Sequence, residues 1–367
     1  MCLLNLALYR TRKTGRLRGI KLNEDLEQIG ATRSTVDLFR FEWHHPLHGR
    51  VFILVYIDDL IVAGESFSCV EDIKNGVSAK LYVRDMGEVK YFIGIKVMRH
   101  KRADKLTLSN PGHIMALIQA FGMHTCAPKN TAMASGVTLN KTGENRIPDD
   151  NRYAEMVGSL LVLSKTTRPD ISFSAVVLSP FMYCPEKDRM RAAKGVLRYL
   201  GGTTLLRIMY VGNDALEGYV HADWAGDTDG RRSTTGFIFP LSGGPMSWAS
   251  KRQSMVATST AEAEYVAAAM ATKEERWLRR PPSDLGVDGG AVPMGDCNQS
   301  CLALDKKTRG DGADQACLHR LRHGSRLSGA RGCGLLLPTQ RLNAGVRAHT
   351  AAAVAGAHGI PGSRRGW

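Results

Sequence analysis

The sequence predicts a mixed fold, α+β in its first part and α/β in its second, with a disordered C-terminal tail. Short β-type runs joined by loops occupy residues 1 to about 130, and helical and strand patterns alternate over residues 150–300. From residue 306 on there is no Phe, Tyr or Glu, and 11 of the 62 residues are Gly. A segment of that composition buries too little apolar surface to offset its ordering entropy.

The overall composition is that of a soluble intracellular protein. The chain has 367 residues, enough for two or three domains, and 43% of them are hydrophobic. The apolar start, Cys2 to Leu8, is too short for a secretory signal and runs directly into basic residues. No apolar run approaches the roughly 18 residues that a membrane-spanning helix needs. We therefore expect a cytoplasmic or nuclear protein without membrane association.

The positive charge of the chain is concentrated in the tail. Residues 306–367 contain 11 Lys and Arg against 2 acidic residues, so they carry +9 of the net +14. The first 305 residues carry only +5. This modest excess is compatible with nucleic-acid binding but does not require it.

The eight cysteines are scattered along the chain, which indicates reduced thiols rather than a disulfide framework. Cys297, Cys301, His319 and His323 have a faint likeness to a Cys2His2 zinc site. The 17 residues between Cys301 and His319 exceed the usual spacing of about 12, and they include no aromatic residue. Coincidence in a His- and Arg-rich tail is the favoured interpretation.

A first helix is predicted from Pro185 to Leu200, ended by Gly201-Gly202. Its apolar face consists of Met190, Ala193, Leu197 and Leu200. A separate basic stripe on the same helix consists of Lys187, Arg191, Lys194 and Arg198. Such a stripe is usually a solvated face, and the alternative is a surface that follows nucleic-acid phosphates.

A second helix is predicted from Ser259 to about Arg279. Ser259 and Glu262 have the spacing of a capping box, in which each residue satisfies a backbone N–H near the other. Pro281-Pro282 ends the helix, because proline cannot continue it.

The stretch VFILVYIDDLIVAGE, Val51 to Glu65, predicts a β-hairpin with two carboxylates at its tip. Val51–Tyr56 and Leu60–Ala63 are its arms, and Asp58 and Asp59 lie between them. Adjacent carboxylates on an apolar hairpin are costly without a cation, and hard carboxylate oxygens suit Mg²⁺. In nucleotidyl transfer two such ions lie about 4 Å apart. The alternative is a solvent-exposed Asp-Asp turn.

The hairpin and its surroundings resemble the end of a copia-type LTR-retrotransposon reverse transcriptase. The likeness includes the Tyr-x-Asp-Asp palm motif, DMGEVKYFIGIKV (Asp85 to Val97) and LTLSNPGHIMALIQAFGM (Leu106 to Met123). It implies that Asp58 and Asp59 are two of three palm carboxylates that bind Mg²⁺, with an RNA or DNA template–primer as partner. The third carboxylate lies upstream in the family, before this sequence begins, so we expect no autonomous polymerisation.

The likeness continues into a segment that resembles the ribonuclease H of the same family. It runs through GYVHADWAGDTDGRRSTTGFIFPLSGGPMSWASKRQSMVATSTAEAEYVA, Gly218 to Ala267. A ribonuclease H holds paired metals with four carboxylates to cut the RNA of an RNA–DNA hybrid.

Only one of those four carboxylates is clearly present. Glu264 matches the helix carboxylate, whereas His221 stands where the family has its first-strand Asp. Asp223 belongs to the family's Asp-Trp-Ala-Gly text but not to the metal position. Cys297 occupies the third position, with Asp296 one residue early, which on a strand means the opposite face. The fourth has no counterpart, so the resemblance implies a vestigial site.

The resemblance divides the chain into four regions. We predict a partial palm and thumb (1–140), a connection segment (141–212), a truncated ribonuclease H-like domain (213–304) and a non-homologous tail (305–367).

A frame slip after NQSCLAL, Asn298 to Leu304, explains the tail. TRGDGADQACLHRLRHGSR, Thr308 to Arg326, can be encoded by codons that, read one nucleotide later, give PEATGQTKHVCIAYDMVR. The peptide encoded in that frame resembles the sequence that follows at this point in the copia-type family. The coding DNA tests this hypothesis, which fails if the next frame does not contain that text.

The leading interpretation is a relic fragment of a retrotransposon Pol polyprotein in which both ancestral activities are lost. One alternative is a residual ribonuclease H that uses Asp223, Glu264 and Asp296. The other is a non-catalytic nucleic-acid-binding protein that uses the Lys187–Arg198 helix and the tail.

Overall fold

The computed structural model describes residues 14–35, 37–45, 49–57, 59–81, 83–100, 104–134, 137, 139, 150–183, 185–212, 215–279 and 292–296. These residues form two compact units, one mainly of residues up to 89 and the other mainly of residues 90–276. Helices and strands are mixed throughout, so the predicted fold class is confirmed. The tail from 305 to 367, predicted to be disordered, lies outside the described residues.

The described part of the chain forms helices and strands with the following bounds. The helices are α1 (Thr14–Gln28), α2 (Phe67–Lys80), α3 (Pro111–Ala120), α4 (Asp150–Thr166), α5 (Ser172–Leu178), α6 (Lys187–Gly202) and α7 (Thr260–Leu278). The strands are β1 (Thr32–Arg33), β2 (Arg40–His45), β3 (Gly49–Tyr56), β4 (Asp59–Gly64), β5 (Tyr91–Phe92), β6 (Ile95–His100), β7 (Lys105–Ser109), β8 (Ile208–Val211), β9 (Gly218–Asp223), β10 (Thr234–Leu241), β11 (Gly244–Arg252) and β12 (Met294–Asp296).

The first unit is an antiparallel sheet of order β1-β2-β3-β4. Residues of β3 alternate between buried and more exposed, because successive side chains of a strand point to opposite faces. The buried ones, Val51, Ile53 and Val55, share a core with the apolar face of α2. The predicted hairpin is confirmed as β3 and β4, paired from Val51↔Gly64 to Tyr56↔Asp59.

A helical cluster forms the centre of the second unit. Helices α3, α4, α5 and α6 share one apolar core, beside an antiparallel sheet of order β5-β6-β7-β8. The helix predicted from Pro185 is confirmed, and it buries Ala193, Val196, Leu197 and Leu200. Its predicted end was wrong: α6 continues through both glycines to Gly202.

Arg168 explains why the last turn of α6 persists in spite of two glycines. Its buried guanidinium donates to the carbonyl oxygen of Thr203 at 3.1 Å and to the Thr203 hydroxyl at 2.7 Å. The same guanidinium donates to both carboxylate oxygens of Asp170, which also accepts from the Tyr199 hydroxyl at 2.8 Å. Burial, followed by the Asp170 charge, raises the pKa of Tyr199 to about 12. This network fixes the C-terminal end of α6.

The third sheet, of order β11-β10-β9-β12, also lies in the second unit. Strands β9, β10 and β11 form an antiparallel meander, α7 follows, and β12 then pairs parallel to β9. The Trp248 indole on β11 donates to the Ser164 carbonyl oxygen of α4 at 2.7 Å, which ties this sheet to the helical cluster.

The helix predicted from Ser259 is confirmed as α7. Ser259 Oγ accepts from the Glu262 N–H at 3.1 Å, as a capping box requires. The Glu262 carboxylate, however, accepts from the backbone N–H and hydroxyl of Thr258 rather than from Ser259. The reciprocal hydrogen bond to the Glu262 carboxylate therefore comes from Thr258, one residue before the cap residue Ser259.

Among the described residues, none of the helices is both long and apolar enough to span a bilayer.

Candidate functional site

The arms of the acidic hairpin are held firmly, and its tip is exposed. Val55 of β3 is buried, whereas Tyr56, Ile57 and Asp59 are exposed. Ile57 has a φ of +52°, which is costly for a β-branched residue. Such outliers concentrate at functional sites, where the surrounding structure enforces them. The hairpin sequence gave no signal of this conformation, because Ile at this position suits an extended strand.

Asp59 is the first residue of β4 and pairs with Tyr56, so its carboxylate is presented at the end of the sheet. Asp58 lies outside the described residues. The predicted carboxylate pair therefore stays a prediction, with one of its two members located at the exposed tip. The candidate zinc residues Cys297, Cys301, His319 and His323 also lie outside the described part.

At the second predicted site, a histidine and a carboxylate are in direct contact. His221 on β9 and Glu264 on α7 lie 2.9 Å apart, measured from Nδ1 to Oε1. The Glu264 side chain is only 4% exposed, whereas His221 is 43% exposed. A buried carboxylate is costly unless it is hydrogen-bonded, and the His221 N–H provides one bond. The contact joins strand to helix where the family resemblance implies paired carboxylates.

Neighbouring residues hold Glu264 in this place. The Gln253 amide donates to the Thr235 hydroxyl of β10 at 3.1 Å and to the Ala263 carbonyl oxygen at 2.9 Å, directly before Glu264. The Trp224 indole donates to the Ala257 carbonyl oxygen at 3.2 Å, which anchors the segment leading into α7. The start of α7 is thus fixed to both β9 and β10. Gln253 was missed by the sequence reasoning, since no local pattern marks it.

The other carboxylates predicted for this site are placed differently. Asp223 follows His221 by two residues on β9, and its carboxylate is packed so closely that a Cβ at Gly226 would collide with it. The backbone of Asp296 on β12 is in register with Val220, one residue before His221. Cys297, the residue predicted at the metal position, is outside the described residues.

The described side chains of this site, those of His221, Asp223 and Glu264, do not fit a pair of magnesium ions. A two-metal site needs several carboxylate oxygens that converge on one point. No group of three or more His, Cys, Asp or Glu side chains suited to a metal ion is found within the described ranges. At the strand position His221 supplies a ring nitrogen, a ligand preferred by transition metals rather than Mg²⁺.

The predicted basic stripe lies on the surface of α6. Lys187, Arg191 and Lys194 are exposed, and Arg191 pairs with Asp188 at 2.9 Å. Arg198 is less exposed, because its Nε donates to the Ala127 carbonyl oxygen at 2.6 Å. Three residues of the stripe are therefore solvated, whereas the fourth, Arg198, hydrogen-bonds the backbone at Ala127.

Comparison with known proteins decides the family. Residues 1–135 match the family described as reverse transcriptase (RNA-dependent DNA polymerase). The chain is 33% identical over 319 residues to the retrovirus-related Pol polyprotein from transposon TNT 1-94 of Nicotiana tabacum. It is 35% identical over 300 residues to the corresponding polyprotein from transposon RE1 of Arabidopsis thaliana. The chain belongs to the copia-type Pol family.

This copia-type chain matches only part of its relatives. The likeness covers 84% of the chain but 24% of the TNT 1-94 polyprotein, and 81% of the chain but 20% of the RE1 polyprotein. Among solved structures, a foamy viral protease–reverse transcriptase in complex with double-stranded DNA has a TM-score of 0.50 at 12% identity. That match covers 89% of the copia-type chain and 49% of the viral one, and it concerns the fold alone.

A double-mutant cycle tests the His221–Glu264 contact. We expect His221→Ala and Glu264→Gln to couple by about 1 kcal/mol in free energy of unfolding, a modest value because His221 is partly exposed. Urea denaturation of the four variants measures the coupling. A cycle between His221 and Glu155, an exposed carboxylate of α4, should be additive. A coupling free energy near zero in the His221–Glu264 cycle, as in the control cycle, would contradict the contact.

Proposed function

We propose that this chain is a copia-type Pol fragment that does not cleave RNA–DNA hybrids. Its region 1–140 corresponds to a partial palm and thumb, 141–212 to the connection segment, and 213–304 to a ribonuclease H-like domain. The tail from 305 to 367 has no counterpart. The ancestral cofactor of both activities is Mg²⁺, and the ancestral partners are a template–primer and an RNA–DNA hybrid.

The topology of the third sheet supports the assignment of region 213–304. Its three-stranded meander is followed by α7 and then by β12, parallel to β9. This connection brings the first strand, the helix and the last strand next to one another. Residues 221 and 264 lie on the first strand and on the helix, two of the elements on which the resemblance places the metal carboxylates, and position 297, the third, follows β12 directly.

The His221–Glu264 contact is the observation that carries the proposed loss of cleavage. A hydrolytic metal pair stabilises the attacking and leaving oxygens, and each ion needs oxygen ligands from several elements. In this chain Glu264 is hydrogen-bonded to an imidazole instead of facing a second carboxylate. The loss of polymerase activity stays a prediction, because Asp58 of the hairpin is not described.

A hybrid-cleavage assay tests this proposal. With Mg²⁺ or Mn²⁺ and a labelled RNA–DNA hybrid, we expect no cleavage above background from the purified chain. Glu264→Ala and the control Glu155→Ala should be indistinguishable from it. Metal-dependent cleavage that Glu264→Ala removes and Glu155→Ala retains would establish the residual nuclease instead.

A second candidate function is non-catalytic binding of nucleic acid, favoured by the exposed cations of α6. Lys187, Arg191 and Lys194 lie on one side of a helix whose opposite side is buried. The tail adds a net charge of +9. The fold similarity to a viral enzyme in complex with double-stranded DNA supports the same class of partner.

Salt dependence separates the helix from the tail. Binding of the chain to a nucleic-acid duplex should weaken steeply with salt, with a slope of about 0.9 per phosphate neutralised. Deleting residues 306–367 should reduce the slope but leave measurable binding. If the truncated chain no longer binds at any salt concentration, the affinity belongs to the tail alone.

A further inference from the structure

Lys129 lies across α6 at a position where the helix has no side chain. A Cβ built on Gly195 would be 3.2 Å from the Lys129 ammonium nitrogen, and the next two nearest atoms also belong to Lys129. Glycine is unfavourable in the middle of a helix by about 1 kcal/mol relative to alanine. The absence of a side chain at residue 195 therefore makes room for the Lys129 side chain.

The segment that carries Lys129 is attached to α6 by its backbone. Arg198 Nε donates to the Ala127 carbonyl oxygen at 2.6 Å, and the Lys129 N–H donates to the Arg198 carbonyl oxygen at 3.3 Å. A Cβ at Gly202 would be only 2.8 Å from the Pro128 ring, so this glycine lets the segment approach. Two glycines of α6 thus accommodate two consecutive residues of one segment.

The position of Lys129 extends the basic stripe. Gly195 lies four residues after Arg191 and three before Arg198, so it is a neighbour of both on the helix surface. The Lys129 ammonium therefore supplies a cation where α6 itself has none. Asp188, exposed and paired with Arg191, offsets only one of the charges.

The hydrogen bonds that hold the Lys129 segment beside α6 are made to backbone carbonyl oxygens, so they leave the charges of Lys129 and Arg198 in place. The stripe and Lys129 place five cations along roughly 16 Å of helix, from Lys187 to Arg198 at about 1.5 Å per residue. That length corresponds to about five charges on one strand of a nucleic-acid duplex. A polyanion of this spacing would relieve their mutual repulsion.

We propose that Lys129 and the stripe of α6 form one binding site for the phosphodiester backbone of a duplex, and that Gly195 lets the Lys129 ammonium lie close to the helix. This inference rests on the nucleic-acid partner of the proposed function and names the residues that contact it. The recognition is of phosphates alone and is independent of base sequence.

The first test removes the Lys129 charge in the full chain. Binding to a fluorescein-labelled 20-base-pair RNA–DNA hybrid is measured by anisotropy over a series of salt concentrations. We expect Lys129→Ala to weaken binding severalfold and to lower the salt slope by about 1, the value for one phosphate contact. Lys165→Ala, an exposed lysine of α4, is the matched control and should match the unmodified chain.

The second test fills the space under Lys129. Gly195→Met should displace the Lys129 side chain and so reduce the salt slope to that of Lys129→Ala. The same change should raise the Tm by about 2 °C, because Met is the better helix former. Opposite effects on binding and stability distinguish a ligand-binding role from a structural one. The double variant should bind no more weakly than Lys129→Ala alone.

Specific outcomes would overturn the inference. Salt slopes equal to that of the unmodified chain in Lys129→Ala and Gly195→Met would show that Lys129 contacts no phosphate, while the proposed nucleic-acid partner would stand. Absence of hybrid binding by every variant would remove that partner as well. Lys129-dependent binding to phosphatidylserine vesicles without hybrid binding would assign the site to a membrane surface instead.

Discussion

A buried carboxylate must be compensated, and the way in which Glu264 is compensated shapes the second unit of this chain. The side chain is almost fully enclosed and contacts the His221 imidazole of the first strand of the third sheet. Because burial of a carboxylate is costly, this contact couples the position of α7 to that of β9. The contact occupies Oε1, one of the two carboxylate oxygens of Glu264. The pairing that holds the helix against the strand therefore lies at the carboxylate that the resemblance assigns to metal binding.

Much of the fold could be predicted because its signals are local. The alternating apolar residues of the Val51–Tyr56 arm and the Ser259 cap of α7 each lie within a few residues of the elements that they define. The apolar face of α6 is marked in the same way by the spacing of Ala193, Leu197 and Leu200. Period and capping chemistry therefore suffice for the existence and type of these elements.

What the sequence could not reveal depends on contacts between distant residues. Two glycines were expected to end α6, but Arg168, 35 residues before Thr203, holds the last turn. Gln253 reaches both Thr235 and the backbone of α7, and Arg198 reaches Ala127 across 71 residues. No periodicity within a single element records such partners. The positive φ of Ile57 is likewise imposed by the hairpin against the preference of the residue.

The distribution of charge is more informative than its total. Most of the net charge lies in the tail, yet the cations best suited to recognition are on a helix whose buried face and C-terminal end are fixed. A charge on a rigid element loses little conformational entropy on binding. The cations of α6 can therefore matter more for affinity than the net charge of +5 on the first 305 residues indicates.

The Arg168 network has an evolutionary consequence. The planar guanidinium of Arg168 donates hydrogen bonds to two residues at once, Asp170 and Thr203. Lysine, whose donors radiate from a single nitrogen, cannot reproduce this geometry, and a shorter side chain would remove the hydrogen bonds to both partners. One nucleotide change in the Arg168 codon can thus release the C-terminal end of α6, although the two are 35 residues apart in sequence. Substitutions that accumulate in a transposon copy should therefore disrupt the fold in steps set by a few multiply bonded residues, rather than evenly along the gene.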